Sequence, residues 1–167
     1  MSRYKMFAFI TLITLAFGIA LVGDALAGEK VKLRSVMYGT KWEQINVGDE
    51  EGHVIAVYEA KGIDTNMQGK KFMDGWLYRE SGLMDMNGKA GTWSAQGYGE
   101  CTDRDGDKIF ITWEGKKDKK ETGEGTNAIL KGTGKWQGIQ GKGTWVAVPA
   151  VDNRWYSDGE LEVELPR

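Results

Sequence analysis

The sequence predicts an all-β fold: a single antiparallel β-barrel of about eight strands in meander order. Three observations carry that reading. The stretch from Asn87 to Gly115 holds two turn-favouring dipeptides, Asn87-Gly88 and Asp105-Gly106, on either side of a strand-like run. Glycine is about twice as frequent as in an average chain, at 24 of 167 residues, and is spread through aromatic, alternating segments. Glycine so placed suits a curved sheet, where it marks bends and bulges. No segment of ten or more residues beyond the N-terminal leader repeats its apolar positions at the helical spacing.

The strands follow in order. Val31 to Tyr38 alternates, with Val31 and Leu33 on one face and Val36 and Tyr38 following a phase slip. Trp42 to Val47 reads as a short second strand, and His53 to Ala60 as a third with Val54, Ala56 and Tyr58 on one face. Lys61 to Lys71 is rich in Gly, Asp, Asn and Lys and reads as a loop, long enough to border the mouth of a barrel. Trp76 to Met86, Lys89 to Asp103 and Asp107 to Gly115 form the three-stranded unit across the two dipeptides. Lys116 to Glu124 connects to a strand at Gly125 to Leu130, and Gly138 to Val148 and Asn153 to Leu165 complete the sheet. Closure into a barrel removes exposed sheet edges, which favours it over an open sandwich.

Residues 1–27 read as a cleaved export signal: Arg3 and Lys5, an apolar run from Met6 to Val22, then Ala25-Leu26-Ala27. Residues 28–167 form one domain, periplasmic or secreted, with no stable membrane anchor after cleavage. The formal net charge of −2 argues against nucleic acid as a partner. Cys101 is the sole cysteine, so the chain has no internal disulfide and relies on a core supplied by seven tryptophans.

If both turns have two residues, register can be counted. Trp76, Tyr78, Glu80, Met84, Trp93, Cys101, Phe110 and Glu114 then share one face, and Arg79, Ser81, Gln96 and Glu100 the other. That count leaves Ile109, Ile111 and Trp113 on the polar face, and a bulge near Gly97 or Gly99 would resolve it. The expected lumen is lined by Trp76, Tyr78, Trp93, Cys101 and Phe110 and suits a small apolar or aromatic ligand. Glu80, Glu114 and Cys101 are the catalytic candidates. A carboxyl buried in such a lumen is pushed toward its neutral form, the state of a general acid. The alternative places both glutamates at the rim, and Cys101 as a small buried hydrophobe.

Other motifs point to structure. Asp103-x-Asp105-Gly106-Asp107 begins like a calcium loop, but glycine falls at the fourth position and strands flank it, so it reads as a hairpin turn. His53 is the sole histidine, which leaves zinc or a Ser-His pair without a second ligand or partner. No metal or cofactor is expected.

The segment Leu130-Lys131-Gly132-Thr133-Gly134-Lys135-Trp136-Gln137-Gly138-Ile139-Gln140-Gly141-Lys142-Gly143 resembles the Gly-Gly-Thr/Ser-Gly-x-Phe-x-Gly-x-x-Gly segment of the allene oxide cyclase and dirigent barrels. The similarity spans about Gly97 to Trp145. It implies an eight-stranded antiparallel barrel, dimeric or trimeric, with an apolar cavity, and places Cys101 where the cyclases have a pocket-lining cysteine. The N-terminal Glu/Asn/Pro cluster that serves the cyclase reaction has no counterpart here. Three functions follow: a lumen that binds a small ligand, an isomerase or cyclase using an inward carboxylate, or a dirigent-like or envelope interaction protein with no small ligand.

Overall fold

The computed structural model describes residues 28–118 and 120–166. Eight strands close into one antiparallel barrel in strict sequence order: β1 (Glu29–Asn46), β2 (His53–Asn66), β3 (Trp76–Asn87), β4 (Thr92–Thr102), β5 (Lys108–Lys117), β6 (Gly123–Gly132), β7 (Gln140–Pro149) and β8 (Arg154–Glu164). Closure runs along β1 and β8, where pairs from Glu29↔Val163 to Tyr38↔Arg154 leave no free edge. The leader assigned to residues 1–27 lies outside the described residues.

The two N-terminal segments read as separate strands are one. β1 runs through, with a bulge between Gly39 and Lys41 that absorbs the change of phase. Before it, Val31, Leu33, Ser35 and Met37 turn toward the barrel axis, while Val36 and Tyr38 are exposed outside. β2 likewise extends to Asn66, so the loop expected at Lys61 to Lys71 is reduced to residues 67–75. Hydrophilic composition misleads here because the inward residues of the extension, Asp64 and Asn66, are themselves polar and buried.

Both central turns are hairpins, but neither has two residues. Asn87 pairs with Thr92 and leaves four residues between them. Gly91 N–H donates to the Asn87 carbonyl at 2.9 Å, and Ala90 N–H to its side-chain oxygen at 2.9 Å. The partner of Gly82 becomes Gly97 in place of Trp93. That four-position displacement is even, so the faces of β3 and β4 are unchanged. The second turn loops over Arg104, Asp105 and Gly106, with Gly106 N–H donating to the Asp103 carbonyl and Gly106 at φ +90°. It is a turn followed by a left-handed glycine, the three-residue hairpin geometry. Cys101 therefore faces Ile109 in place of Phe110. A displacement of one inverts β5. Ile109, Ile111 and Trp113 are buried inside; Phe110 and Glu114 are outside.

The two ends of the barrel differ. Residues 67–75, the 103–107 turn and the short 3-10 helix Gly134–Trp136 close the base. Phe72, Trp76 and Trp136 meet there with ring centres 5.1–5.5 Å apart, over Met73, Ile109, Ile139 and Val163. Asp103 ties this base together. Its Oδ1 accepts the backbone N–H groups of Asp105 and Asp107, and its Oδ2 accepts Trp136 Nε1–H at 2.9 Å and faces Lys135 Nζ at 2.7 Å. Burial raises this carboxyl, but Lys135, Trp136 and the two amides outweigh it and hold Asp103 at about 2. Asp105 also pairs with Lys135, so these carboxylates serve the turn and one lysine.

At the other end the wall is thin. Trp113 lies against Gly82 and Gly97 of the two preceding strands, and Trp145 against Gly115 and Gly125. A methyl group on Gly97 would come within 2.2 Å of the Ser81 carbonyl oxygen and 2.6 Å of the Trp113 ring. Gly97→Ala should therefore destabilise the fold by about 2 kcal/mol or more and shift tryptophan emission, as overpacking does. Gly106→Ala, whose methyl meets nothing within 4 Å, should cost about 1 kcal/mol through its left-handed backbone and leave the emission unchanged. Equal denaturation midpoints for the two variants would contradict the close packing at Gly97.

Candidate functional site

The barrel encloses a cavity of about 690 Å³ that runs from the mouth down to the packed base. Seven aromatic rings line it, Trp42, Tyr58, Tyr78, Trp93, Trp113, Trp145 and Trp155. They touch in sequence: Trp42 and Tyr58 lie 6.3 Å apart, Tyr58 and Trp113 6.1 Å, Trp113 and Trp145 6.4 Å. Trp93 stacks on Trp145 near the mouth with planes 12° apart. Met84 and Met86 complete the apolar mouth beside Trp93.

Two carboxyl groups stand at depth. Glu80 is only 7% exposed and faces inward from β3. It accepts hydrogen bonds from the hydroxyls of Tyr58 at 3.1 Å and Tyr78 at 2.9 Å, one on each oxygen. Burial pushes this carboxyl up to about 7, although the two phenols oppose the shift. Burial, with the negative charge of Glu80, pushes both tyrosines up as well, so they stay protonated donors.

Asp64 lies nearer the base on β2 and is 1% exposed. Ser35 Oγ donates to its Oδ1 at 2.5 Å, and the Cys101 thiol lies alongside. Its Oδ2 has no hydrogen-bond partner among the described residues. Burial raises Asp64 to about 6. Cys101 is pushed well above an ordinary thiol by burial and by the carboxylate of Asp64, which favours its protonated form. Two further buried polar atoms on the cavity wall lack partners among the described residues, Trp113 Nε1 and Asn127 Oδ1, on residues paired across β5 and β6.

The structure sorts the residues singled out in the sequence. Tyr78, Trp93, Cys101 and Glu80 line the cavity. Trp76 faces inward but belongs to the packed base. Phe110 is outside, half-buried, with Lys131 Nζ 5.1 Å above its ring, and Glu114 is exposed on the same outer face. The inverted β5 register moves both of them off the lumen. Asp64, Trp113 and Tyr58 are lumen groups that strand counting missed or placed elsewhere. The signal for Trp113 was available, since Ile109, Ile111 and Trp113 alternate with Lys108, Phe110, Thr112 and Glu114, the less apolar side, and so had to face a core.

A scan of protein-family models and a search of curated proteins give no match to this chain. Among solved structures, the chain is similar to a pterocarpan synthase dirigent protein, at 12% identity and a TM-score of 0.50. The superposition covers 84% of this chain and 91% of the dirigent protein, and it supports a dirigent-like barrel fold.

Asp64 supplies a test of the site's electrostatics. Its carboxyl titrates higher in the folded chain than in the unfolded one, so folding favours the protonated form. That contribution is fully present below about pH 4 and is lost as pH rises through about 6. Asp64→Asn keeps an acceptor for Ser35 and removes the buried charge. It should gain on the wild type by up to about 3 kcal/mol between pH 4 and pH 8, the size that the rise from 3.8 to about 6 corresponds to. Urea midpoints at the two pH values measure this, and a gain that stays constant with pH would refute it.

Proposed function

We propose that the lumen binds a small, largely apolar, ring-containing ligand. The observation that carries this reading is an open 690 Å³ cavity walled by aromatic rings, with partnerless polar atoms buried in its wall. Buried donors and acceptors without partners are costly, and a ligand that reaches them recovers the lost hydrogen bonds. A body of fused or linked rings would contact the indoles and phenols, while one or two polar groups reach Asp64, Asn127 and Trp113. The leader pattern of residues 1–27 supports a periplasmic or secreted setting for this binding. An interaction protein with no small ligand is compatible with the dirigent-like fold, but it leaves those buried polar atoms without a use.

A second reading is favoured by one observation: Glu80 holds its carboxyl at about 7 while facing the cavity. A group that is part acid and part base at neutral pH suits proton transfer on a bound molecule, as an isomerase or cyclase of the allene oxide cyclase type requires. Here Glu80 would take or give the proton, and Tyr58 and Tyr78 would hold its carboxylate in place. Exchange of the α-hydrogens of 2-tetralone in deuterated water, followed by NMR, tests it. Acceleration by the wild type that Glu80→Gln lacks would support this chemistry, and equal rates would remove it.

Binding is tested by calorimetry with bicyclic aromatics. Ala147→Trp places a further indole at a cavity-lining position near the mouth of β7 and should reduce affinity at least tenfold with the melting temperature held. If that variant does not fold, Ala95→Phe blocks the opposite wall. Undiminished binding in a folded, plugged variant would place the ligand elsewhere.

A further inference from the structure

The chemistry of the cavity floor narrows the ligand class. We infer that the lumen is built for an organic cation, an amine on an aromatic or alkyl body, with its N–H groups on the unpartnered oxygen of Asp64 and its body within the ring cage. This deepens the lumen-binding reading and rests on it.

Three observations converge. The first is the distribution of charge. The deep cavity carries Asp64 and Glu80, whereas the cations among its lining residues are Lys41, Lys117 and Arg154. Lys117 ends β5 and Arg154 begins β8, both at the mouth, and Lys41 pairs with Glu43 at 3.1 Å. No lysine or arginine lies within salt-bridge distance of Asp64 or Glu80 among the described residues. The second is the Oδ2 of Asp64, buried in the cavity wall without a hydrogen-bond partner among the described residues. An ammonium carries two or three donors and no acceptor, the complement of a carboxylate oxygen. The third is the cage. Five indoles and two phenols line the cavity and offer apolar and aromatic surface to the body of such an amine.

A neutral alcohol would satisfy Asp64 by one hydrogen bond but leave its charge buried and uncompensated. Two carboxylates, a protonated thiol and no converging third ligand among the described residues do not make a metal site. An organic ammonium answers both needs at once, charge and hydrocarbon.

The consequence is linked to protons. The titratable groups facing Asp64 are Glu80, Tyr78 and Cys101, with the Ser35 hydroxyl from β1. The tyrosine and the thiol stay protonated near neutrality, so only the two carboxyls change charge between pH 5 and 8. A cation favours their ionised forms, and its affinity should rise as they lose protons across that range. An arylmethylammonium probe titrates below the lysine value of about 10.4 but above pH 8, so it keeps its charge across this range.

Calorimetry on the intact domain with three matched probes decides the matter: 1-naphthylmethylamine, 1-naphthylmethanol and 1-methylnaphthalene. At pH 8 the amine should bind at least tenfold more tightly than either neutral probe, and the gap should close to threefold or less at pH 5. Asp64→Asn should erase the gap at pH 8. If that variant does not fold, the pH dependence in the wild type decides alone. Neutral probes that bind as tightly as the amine at pH 8 overturn the cation assignment and leave the lumen-binding reading standing. Absence of binding by all three probes removes both.

Discussion

Indole rings lying against glycine backbone are the constraint on which the rest of this barrel depends. An eight-stranded barrel has an interior that ordinary side chains just fill. Here Trp113 covers Gly82 and Gly97, Trp145 covers Gly115 and Gly125, and the Trp93 ring meets Gly123. Each ring occupies the volume that a side chain on the neighbouring strand would have taken, so the wall is one ring thick and space remains along the axis. A larger residue at any of these glycines would force an indole away from the wall. The glycine content and the tryptophan content of the sequence are thus one feature, and their product is the cavity.

The same arrangement makes the buried acids possible. Glu80 and Asp64 would be untenable in a close-packed core, because a carboxylate needs hydrogen bonds or a counter-charge wherever water is excluded. Glu80 obtains two phenolic donors from within the barrel. Asp64 obtains one hydroxyl and the neighbouring Cys101 thiol, and its Oδ2 has no hydrogen-bond partner among the described residues. Ionisation of both works against folding, so something other than stability has to account for them, and their position on the cavity wall supplies it. The fold tolerates this because its base is secured separately. Asp103 is held ionised by Lys135, Trp136 and two backbone amides, and the aromatic cluster of Phe72, Trp76 and Trp136 seals that end.

Much of the fold was legible in the sequence, and the reason lies in periodicity. Alternation, glycine punctuation and the spacing of turns were enough for an antiparallel meander of eight strands closed as a barrel. The inward sides of β3 and β4 were legible as well, since the error at the Asn87 turn was an even number of positions. β5 was lost to an error of one at the Asp103–Asp107 turn, which carried Phe110 and Glu114 inward and Trp113 outward. Dipeptides such as Asp-Gly identify a turn but not its length, because the left-handed glycine can be the second residue of a two-residue loop or the third of a longer one. The hydrophobic pattern of β5 was the better guide to register. A strand that alternates Ile, Ile, Trp against Phe, Thr, Glu has a buried side whatever the turn suggests.

Asp64 was missed for a more instructive reason. The stretch Lys61-Gly-Ile-Asp-Thr-Asn66 reads as a polar loop because sequence reasoning assumes that polar residues face water. In β2 it continues the strand, with Gly62 letting the backbone of β1 come close: a methyl group there would lie 2.2 Å from the Val36 carbonyl oxygen. A residue meant to meet a ligand's polar group inside a lumen has to break the very rule by which strands are recognised. The local pattern therefore fails at the site and holds elsewhere. Within β2, alternation is intact from Val54 through Ala60 and becomes polar only at Asp64 and Asn66, on the same inward side. Inward polarity confined to the end of an otherwise regular strand thus separates a site residue from a loop, once the register of the neighbouring strand is known.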